Sequence, residues 1–482
     1  MVHALSSNYE DFAGASRPFR AHVELDDLEV EGEIPLELRG TFYRVSHDPY
    51  YERDYYEGGT KTTPFDADGN ISAFRIQDGK ASFKQRYVLT ERFLAERKAG
   101  RAMFGVMRTP FSHHPCVRSL EDNVANTNVI VHAGKLLALG ELGAPYELDP
   151  TTMTTVGHNP FPGQLPMNGP YTAHPKIDPD TGDLIGYGYG IKGAESNDCT
   201  VWILDKDGKK TLERPFERPI NGFVHDCVIT KNYVVLQQMP FRTSYEQLKT
   251  KDGHLWTYDE DLPTYFYVVP KDMGKPVRTF HWKNSMPIHT GASWEEQGNI
   301  IFDTTIASNN AFPFLPIKRS CTSTSEPKPV TVNYVRFTIS PDAASEKVEN
   351  PEILVDLPCE FPRIDERFLT KRSRYTFFDC FDPKSVADPA LLYRGLNCLG
   401  RFDYETKKLE IMSPGPDVLV QEPCFSPRYP GAPEGDGFLI TMIDNVPKLR
   451  NEVSILYQLA LTLLNITAEL PRLAAEGSTY RK

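Results

Sequence analysis

The stretch NISAFRIQDGKASFKQRYVL (residues 70–89) holds two β-rich runs on either side of Asp78-Gly79. Asp-Gly is a strong two-residue hairpin signal, because both turn positions need positive φ and these residue types tolerate it. The design recurs along the chain. NVIVHAGKLLALGEL reverses at Ala133-Gly134, KIDPDTGDLIGYGYGIKG at Thr181-Gly182 and TVWILDKDGKKTLERPF at Asp207-Gly208. Successive hairpins without strand–helix alternation predict an all-β fold. Spread over 482 residues without a strict repeat, they favour a β-propeller over a sandwich. With 40% apolar and 11% aromatic residues, the chain can bury an extensive core.

Two stretches predict helices. LTERFLAERKAGRAMF (residues 89–104) is rich in helix formers, stops at Gly100 or Gly105, and is expected to lie over the β scaffold as an insertion. NEVSILYQLALTLLNITAEL (residues 451–470) holds a mostly apolar run from Ile455 to Leu464, broken by Gln458 and Thr462 and too short to span a membrane. It is expected to be a terminal helix packed on the core, with an interfacial or partner-docking role as the alternative. The Pro-rich AFPFLPIKRSCTSTSEPKP (residues 311–329) predicts a surface loop.

A formal net charge of −12, with Lys and Arg scattered among acids, argues against a nucleic-acid partner. The eight cysteines include no C-x-x-C pair, so free thiols are expected. The N-terminus MVHALSSNYEDFAG lacks the charged and apolar regions of a signal peptide, and the expected location is cytoplasmic.

Three histidines stand out: His174 in YTAHPKIDPDTGDL, His225 in NGFVHDCVIT and His289 in PIHTGASWEEQGNIIFD. Their separations, 225 − 174 = 51 and 289 − 225 = 64 residues, match no local metal motif. On a propeller, residues about one blade apart can all face the central axis and share an ion. Ordinary hydrogen-bonded histidines are the simpler alternative, and spacing alone leaves both open. His113-His114 in FSHHPC is expected to be an exposed loop pair rather than a ligand pair. GYGYG (residues 186–190) lacks the following helix of a phosphate loop, and its alternating tyrosines predict a strand. No G-x-S-x-G elbow is present, and spacing does not decide on a Ser/His/Asp triad.

Over roughly residues 30 to 445 the chain resembles the carotenoid cleavage oxygenase superfamily. The matching segments are IPLELRGTFYRVSHDP, PFDADGNISAFRI, QRYVLTERF, ANTNVIVHAGKLLALGELGAPYELDP, TAHPKIDPDTGDL, FVHDCVIT, CEFPRIDERFLTKRSRYTF and QEPCFSPRYPGAPEGDGFLITMID. The resemblance implies a seven-bladed β-propeller with a helical or loop cap over one face. It also implies non-haem Fe(II) held by four histidines, three of which map onto His174, His225 and His289. Glutamates of the family hold the histidine N–H groups, and by motif these are Glu141 in LGELGAPYEL, Glu360 in CEFPRID and Glu422 in QEPCF. A carboxylate accepting Nδ1–H fixes the tautomer that leaves Nε2 free for a metal.

The implied reaction is cleavage of a C=C bond by O2 into two carbonyl fragments, with an apolar alkene held in a tunnel. The segment AERKAGRAMFGVMRTPF looks most like the fungal and microbial branch that cleaves lignostilbene and resveratrol. That branch binds a 4-hydroxyl through a Tyr and a Lys. Here those positions hold Met107 and Gly140, so an apocarotenoid or another alkene without a free 4-hydroxyl is expected.

The departure lies near the end. No histidine follows His289, and NEVSILYQLALTLLNITAELPRLAAEGSTYRK stands where the family carries a segment like P-x-R-x-x-x-G-x-H-G. The expectation is a single propeller domain over residues 1–482 with an atypical tail at 446–482 and an incomplete last blade. Alternatives are a catalytically impaired or non-catalytic propeller binding an apolar ligand, and an altered gene product. Peripheral membrane contact for substrate uptake is a further expectation; the oligomeric state is not legible.

Overall fold

The computed structural model describes residues 19–51, 63–106, 108–250, 253–320, 330–386, 395–448, 450–457 and 462–466. The fold is all-β. Among the described residues the chain runs through seven antiparallel sheets taken up one after another, each from a nearly contiguous stretch of sequence. Each hairpin expected from sequence forms. At Asp78-Gly79 the two residues adopt φ 51° and 74°, and at Ala133-Gly134 49° and 73°, the left-handed pair that such turns require.

The first sheet combines Val23–Leu25, Gly40–His47, Gly69–Gln77 and Lys80–Tyr87, and the second runs from Asn128–His132 to Thr155–His158. The third spans Lys176–Ile177 to Lys210–Glu217, the fourth Val224–Ile229 to Arg278–Trp282 and the fifth Met286–Glu296 to Glu352–Val355. The sixth spans Cys359–Arg363 to Lys408–Met412, and the seventh Val418–Val420 to Thr462–Ile466. A small sheet of Phe241–Arg242, Thr257–Asp259 and Ile317–Lys318 lies apart.

Successive side chains on a strand face opposite ways, and here both faces are apolar because each sheet is packed between two others. Leu136 packs with Ile71 and Ala73 of the first sheet, whereas its neighbour Leu137 packs with Leu184 and Trp202 of the third. Val234 faces Val201 of the third sheet while Val235 faces Phe302 and Phe337 of the fifth. Phe378 meets Trp294 and Tyr334 of the fifth sheet, and Phe377 meets Leu439 and Leu456 of the seventh. Finally Phe438, Ile440 and Val453 of the seventh sheet pack on Phe74 and Phe83 of the first, so the series returns to its start.

Among the described residues of 451–470 the expected terminal helix is not there; 458–461 and 467–470 lie outside them. Arg450–Tyr457 and Thr462–Ile466 are strands, paired with each other from Val453↔Ile466 to Tyr457↔Thr462. Arg450–Tyr457 is also zipped along its whole length to Gly437–Asn445. Val453 and Ile455 point into the core shared with the first sheet and Leu456 into that shared with the sixth, so burial on both faces made a strand look like a helix. The other expected helix forms as Glu91–Ala99, capped by the Thr90 side chain on Phe93 N–H and by left-handed Gly100. Among the described residues no helix is long and apolar enough to cross a membrane, and the seven described cysteines are free.

Candidate metal centre

First strands of consecutive sheets lie against one another, Lys176–Ile177 on Val224–Ile229, then Met286–Glu296, then Cys359–Arg363. His174 precedes the first of these by two residues, and His225, His289 and Glu360 sit on the next three. Around the last three the ladders break register, at Val224/Cys227, Pro287/Thr290 and Glu360/Arg363. Such bulges re-aim side chains out of the regular alternation, here toward one point.

One ring nitrogen from each of His174, His225 and His289 lies within 4.8 Å of the other two. His225 donates Nδ1–H to Glu141 Oε2 at 2.7 Å, and His289 donates Nδ1–H to Glu360 Oε2 at 2.6 Å. Both carboxylates are held in turn. Glu141 Oε1 accepts the Tyr189 hydroxyl, and Glu360 accepts the Thr305 hydroxyl and the Phe361 N–H. Burial and the adjacent Glu141 charge push the Tyr189 phenol well up, so it stays a donor.

With Nδ1–H committed, each Nε2 is bare, and the Nε2 atoms of His225 and His289 stand 3.2 Å apart. Two lone pairs at that distance repel unless a cation sits between them. Nitrogens bound to one first-row ion at about 2.1 Å would stand about 3.0–3.4 Å apart. Nε2 of His174 is buried without a hydrogen-bond partner, which costs free energy unless a ligand takes it up. Burial, then the neighbouring His225, hold His174 well below the ordinary histidine pKa, so it offers a lone pair. Burial opposes protonation of His289 as well, but Glu360 outweighs it and raises that pKa. These donors fit a borderline divalent ion.

Beside the histidines, buried Asp226 takes Lys176 at 2.8 Å and the Thr290 N–H and hydroxyl at 2.8 and 2.9 Å. Burial works against that carboxylate, but Lys176 and the nearby histidines hold it below the usual carboxylate range. It ties the three histidine-bearing segments together.

Glu422 is placed differently. It is exposed and pairs with Arg363 Nη1 at 2.9 Å, with no imidazole on it among the described residues. His113 is buried rather than exposed: its Nδ1 accepts the Gly105 N–H at 3.0 Å and Nε2 stands 3.2 Å from Asp122. His114 is half-buried. Met107 lies outside the described residues. At Gly140 a Cβ would come 2.8 Å from Ala125 N and 3.1 Å from Asn123 Oδ1, so a lysine does not fit without backbone movement.

Sequence reasoning missed the supporting hydroxyls of Tyr189 and Thr305 and the Asp226–Lys176 pair, which no local spacing announces. It also missed an aromatic band. Phe361 lies 4.7 Å from the His289 ring and Phe223 5.7 Å from the His225 ring. Phe223 stacks on Trp256 at 5.4 Å, and Phe312 and Phe314, from the expected surface loop, enclose Phe65 at 5.2 and 5.1 Å.

The family model described as retinal pigment epithelial membrane protein matches residues 16–472. The chain belongs to that family. It is 39% identical over 444 residues to resveratrol cleavage oxygenase 1 of Botryotinia fuckeliana, covering 90% of this chain and 78% of that one. Identity to lignostilbene-alpha,beta-dioxygenase isozyme III of Sphingomonas paucimobilis is 35% over 447 residues, covering 90% and 88%. Among solved structures, the Pseudomonas brassicacearum lignostilbene dioxygenase superposes with TM-score 0.87 at 32% identity over 95% of both chains. The resemblance to carotenoid oxygenases and to their stilbene-cleaving branch is therefore borne out, and the enzyme class is that of a cleavage dioxygenase.

Proposed function

We propose that His174, His225 and His289 hold Fe(II), and that the protein cleaves a C=C bond of an apocarotenoid or a stilbenoid-like aryl-alkene with O2. The observation that carries this reading is the convergence of three imidazoles, two with Nδ1–H locked on Glu141 and Glu360. Fe(II) in an all-imidazole set keeps its full charge and supplies the O2 chemistry when bound. One alkene and one O2 balance to two carbonyl products, so no external reductant is required.

The chain's own residues do the rest. Glu141 and Glu360 hold the ligands in the metal-binding tautomer, and Phe223, Trp256, Phe361 and the Phe65 cluster offer an apolar wall for the alkene. Gly140 leaves no lysine to take a 4-hydroxyl, which supports an alkene lacking that group. In this reading the seven sheets are the blades of a propeller, with the segment around Glu91–Ala99 as its cap, in a reducing cytoplasm that keeps the thiols free.

Protein reconstituted with Fe(II) should retain about one iron per chain and release aldehydes from an apocarotenal or a stilbene in air. Absence of both overturns the proposal. A second reading, a propeller that binds an apolar ligand without cleaving it, draws on the pairing of Glu422 with Arg363 instead of an imidazole. Ligand binding unchanged in His225→Ala, with no oxygen consumed by the unaltered protein, would decide for it.

A further inference from the structure

We propose that Cys359 and Cys380 form a dithiol site that hydrogen peroxide closes into a cross-strand disulfide. The site is separate from the histidine centre and does not depend on the metal proposed there.

The sixth sheet sets three thiols in a row. On its adjacent strands Cys359–Arg363, Tyr375–Cys380 and Cys398–Asp403, Cys359 stands opposite Cys380 and Cys380 opposite Cys398. Directly opposed residues present their side chains on one face of a sheet, and all three cysteines pack in a single cluster with Ala292, Trp294 and Tyr334 of the fifth sheet. All three are buried and free. The other described cysteines on strands meet different residue types across the ladder: Cys199 faces Tyr189 and Phe216, Cys227 faces Leu236, and Cys424 faces Ile440.

The two pairs in the row differ. Opposed residues of an antiparallel ladder alternate between hydrogen-bonded pairs and non-hydrogen-bonded pairs, and the second kind brings side chains closer. Phe381 N–H donates to Pro358 O at 2.9 Å, so the next pair along, Cys359 and Cys380, is of the closer kind. On the other side Tyr404 N–H donates to Arg374 O at 2.9 Å, and counting by twos along the register makes Cys380 and Cys398 a hydrogen-bonded pair. A disulfide needs its Cβ atoms about 3.5–4.5 Å apart, and opposed Cβ atoms of a non-hydrogen-bonded pair stand at about 4.5 Å. Cys380 therefore has Cys359 as its preferred partner. The backbone beside Cys359 is also free to give, because Pro358 has no N–H for the ladder and the register breaks between Glu360 and Arg363.

Peroxide converts one thiol to a sulfenic acid and leaves as water; the second thiol then attacks that sulfur and expels its oxygen as a second water. Two thiols and one peroxide thus give one disulfide and two waters, the sulfurs losing the two electrons that the peroxide gains. Burial pushes both thiols up in pKa, which keeps the reactive thiolate scarce and makes closure slow. A thiol waiting opposite the sulfenic acid captures it in a form that reductant can reverse.

The test treats the full chain with hydrogen peroxide in the presence of a chelator, so that no iron consumes the oxidant, and maps alkylated peptides by mass spectrometry without reduction. A peptide pair joining Cys359 to Cys380 should appear, and dithiothreitol should remove it. Cys398→Ser should form this link at the wild-type rate, whereas Cys359→Ser should link Cys380 to Cys398 about tenfold more slowly, as the wider pair requires. Matching thermal melts of the reduced proteins show that both variants fold. Oxidation confined to exposed Cys116, a wild-type link mainly between Cys380 and Cys398, or passage of Cys359 and Cys380 to sulfinic acid without joining overturns the proposal.

Discussion

On one side of the histidine centre, His225 and His289 each hand Nδ1–H to a buried or half-buried carboxylate that is itself braced by a hydroxyl. On the side of Glu422 the corresponding carboxylate is exposed, and its companions are cations: Arg363 at 2.9 Å, and Arg44, pushed down to about 10 by burial while Glu422 and Asp444 oppose it. The same residue type thus does two jobs. Glu141 and Glu360 select a tautomer, whereas Glu422 balances charge. Proximity of a glutamate to the centre is therefore not enough; an imidazole must stand between carboxylate and metal for the carboxylate to tune the site.

The comparison breaks most visibly at the three histidines proposed to hold the iron. His225→Ala or His289→Ala should reduce iron retention below ~10% of the unaltered protein, since each removes a direct donor. His113→Ala should keep the iron and lose melting temperature, because it empties a position in the Asp122 network. Iron analysis of the three variants together decides, and equal contents would undo the assignment.

Next come the glutamates. Glu360→Gln and Glu141→Gln should weaken metal binding by about 10–100-fold, and Glu422→Gln by no more than about twofold. Competitive metal titration measures all three. Equal losses at Glu360 and Glu422 would erase the distinction between the two sides.

The uneven legibility of the sequence has physical causes. Asp78-Gly79 and Ala133-Gly134 were decisive because a left-handed turn is a local demand on two residues. Residues 451–470 misled because Val453, Ile455 and Leu456 are apolar toward two different neighbouring sheets, and an unbroken apolar run has no period to distinguish strand from helix. The His113-His114 pair reads as exposed because the burial of His113 depends on Asp122 and Gly105, contacts made across the loop. His174, His225 and His289 were named through the family resemblance, since separations of 51 and 64 residues carry no local signal.

By itself the sequence determined the all-β class, the hairpins and a helix within residues 89–104, because these follow from local backbone chemistry, and it singled out the three imidazoles through residues that match a family in order. Only the tertiary structure decided that Nε2 of His225 and His289 come within 3.2 Å, that Tyr189 and Thr305 brace the glutamates, and that Glu422 serves an arginine. Those facts depend on bulges re-aiming side chains and on residues from successive sheets, dozens of positions apart, packing face to face, and no stretch of chain contains that information alone.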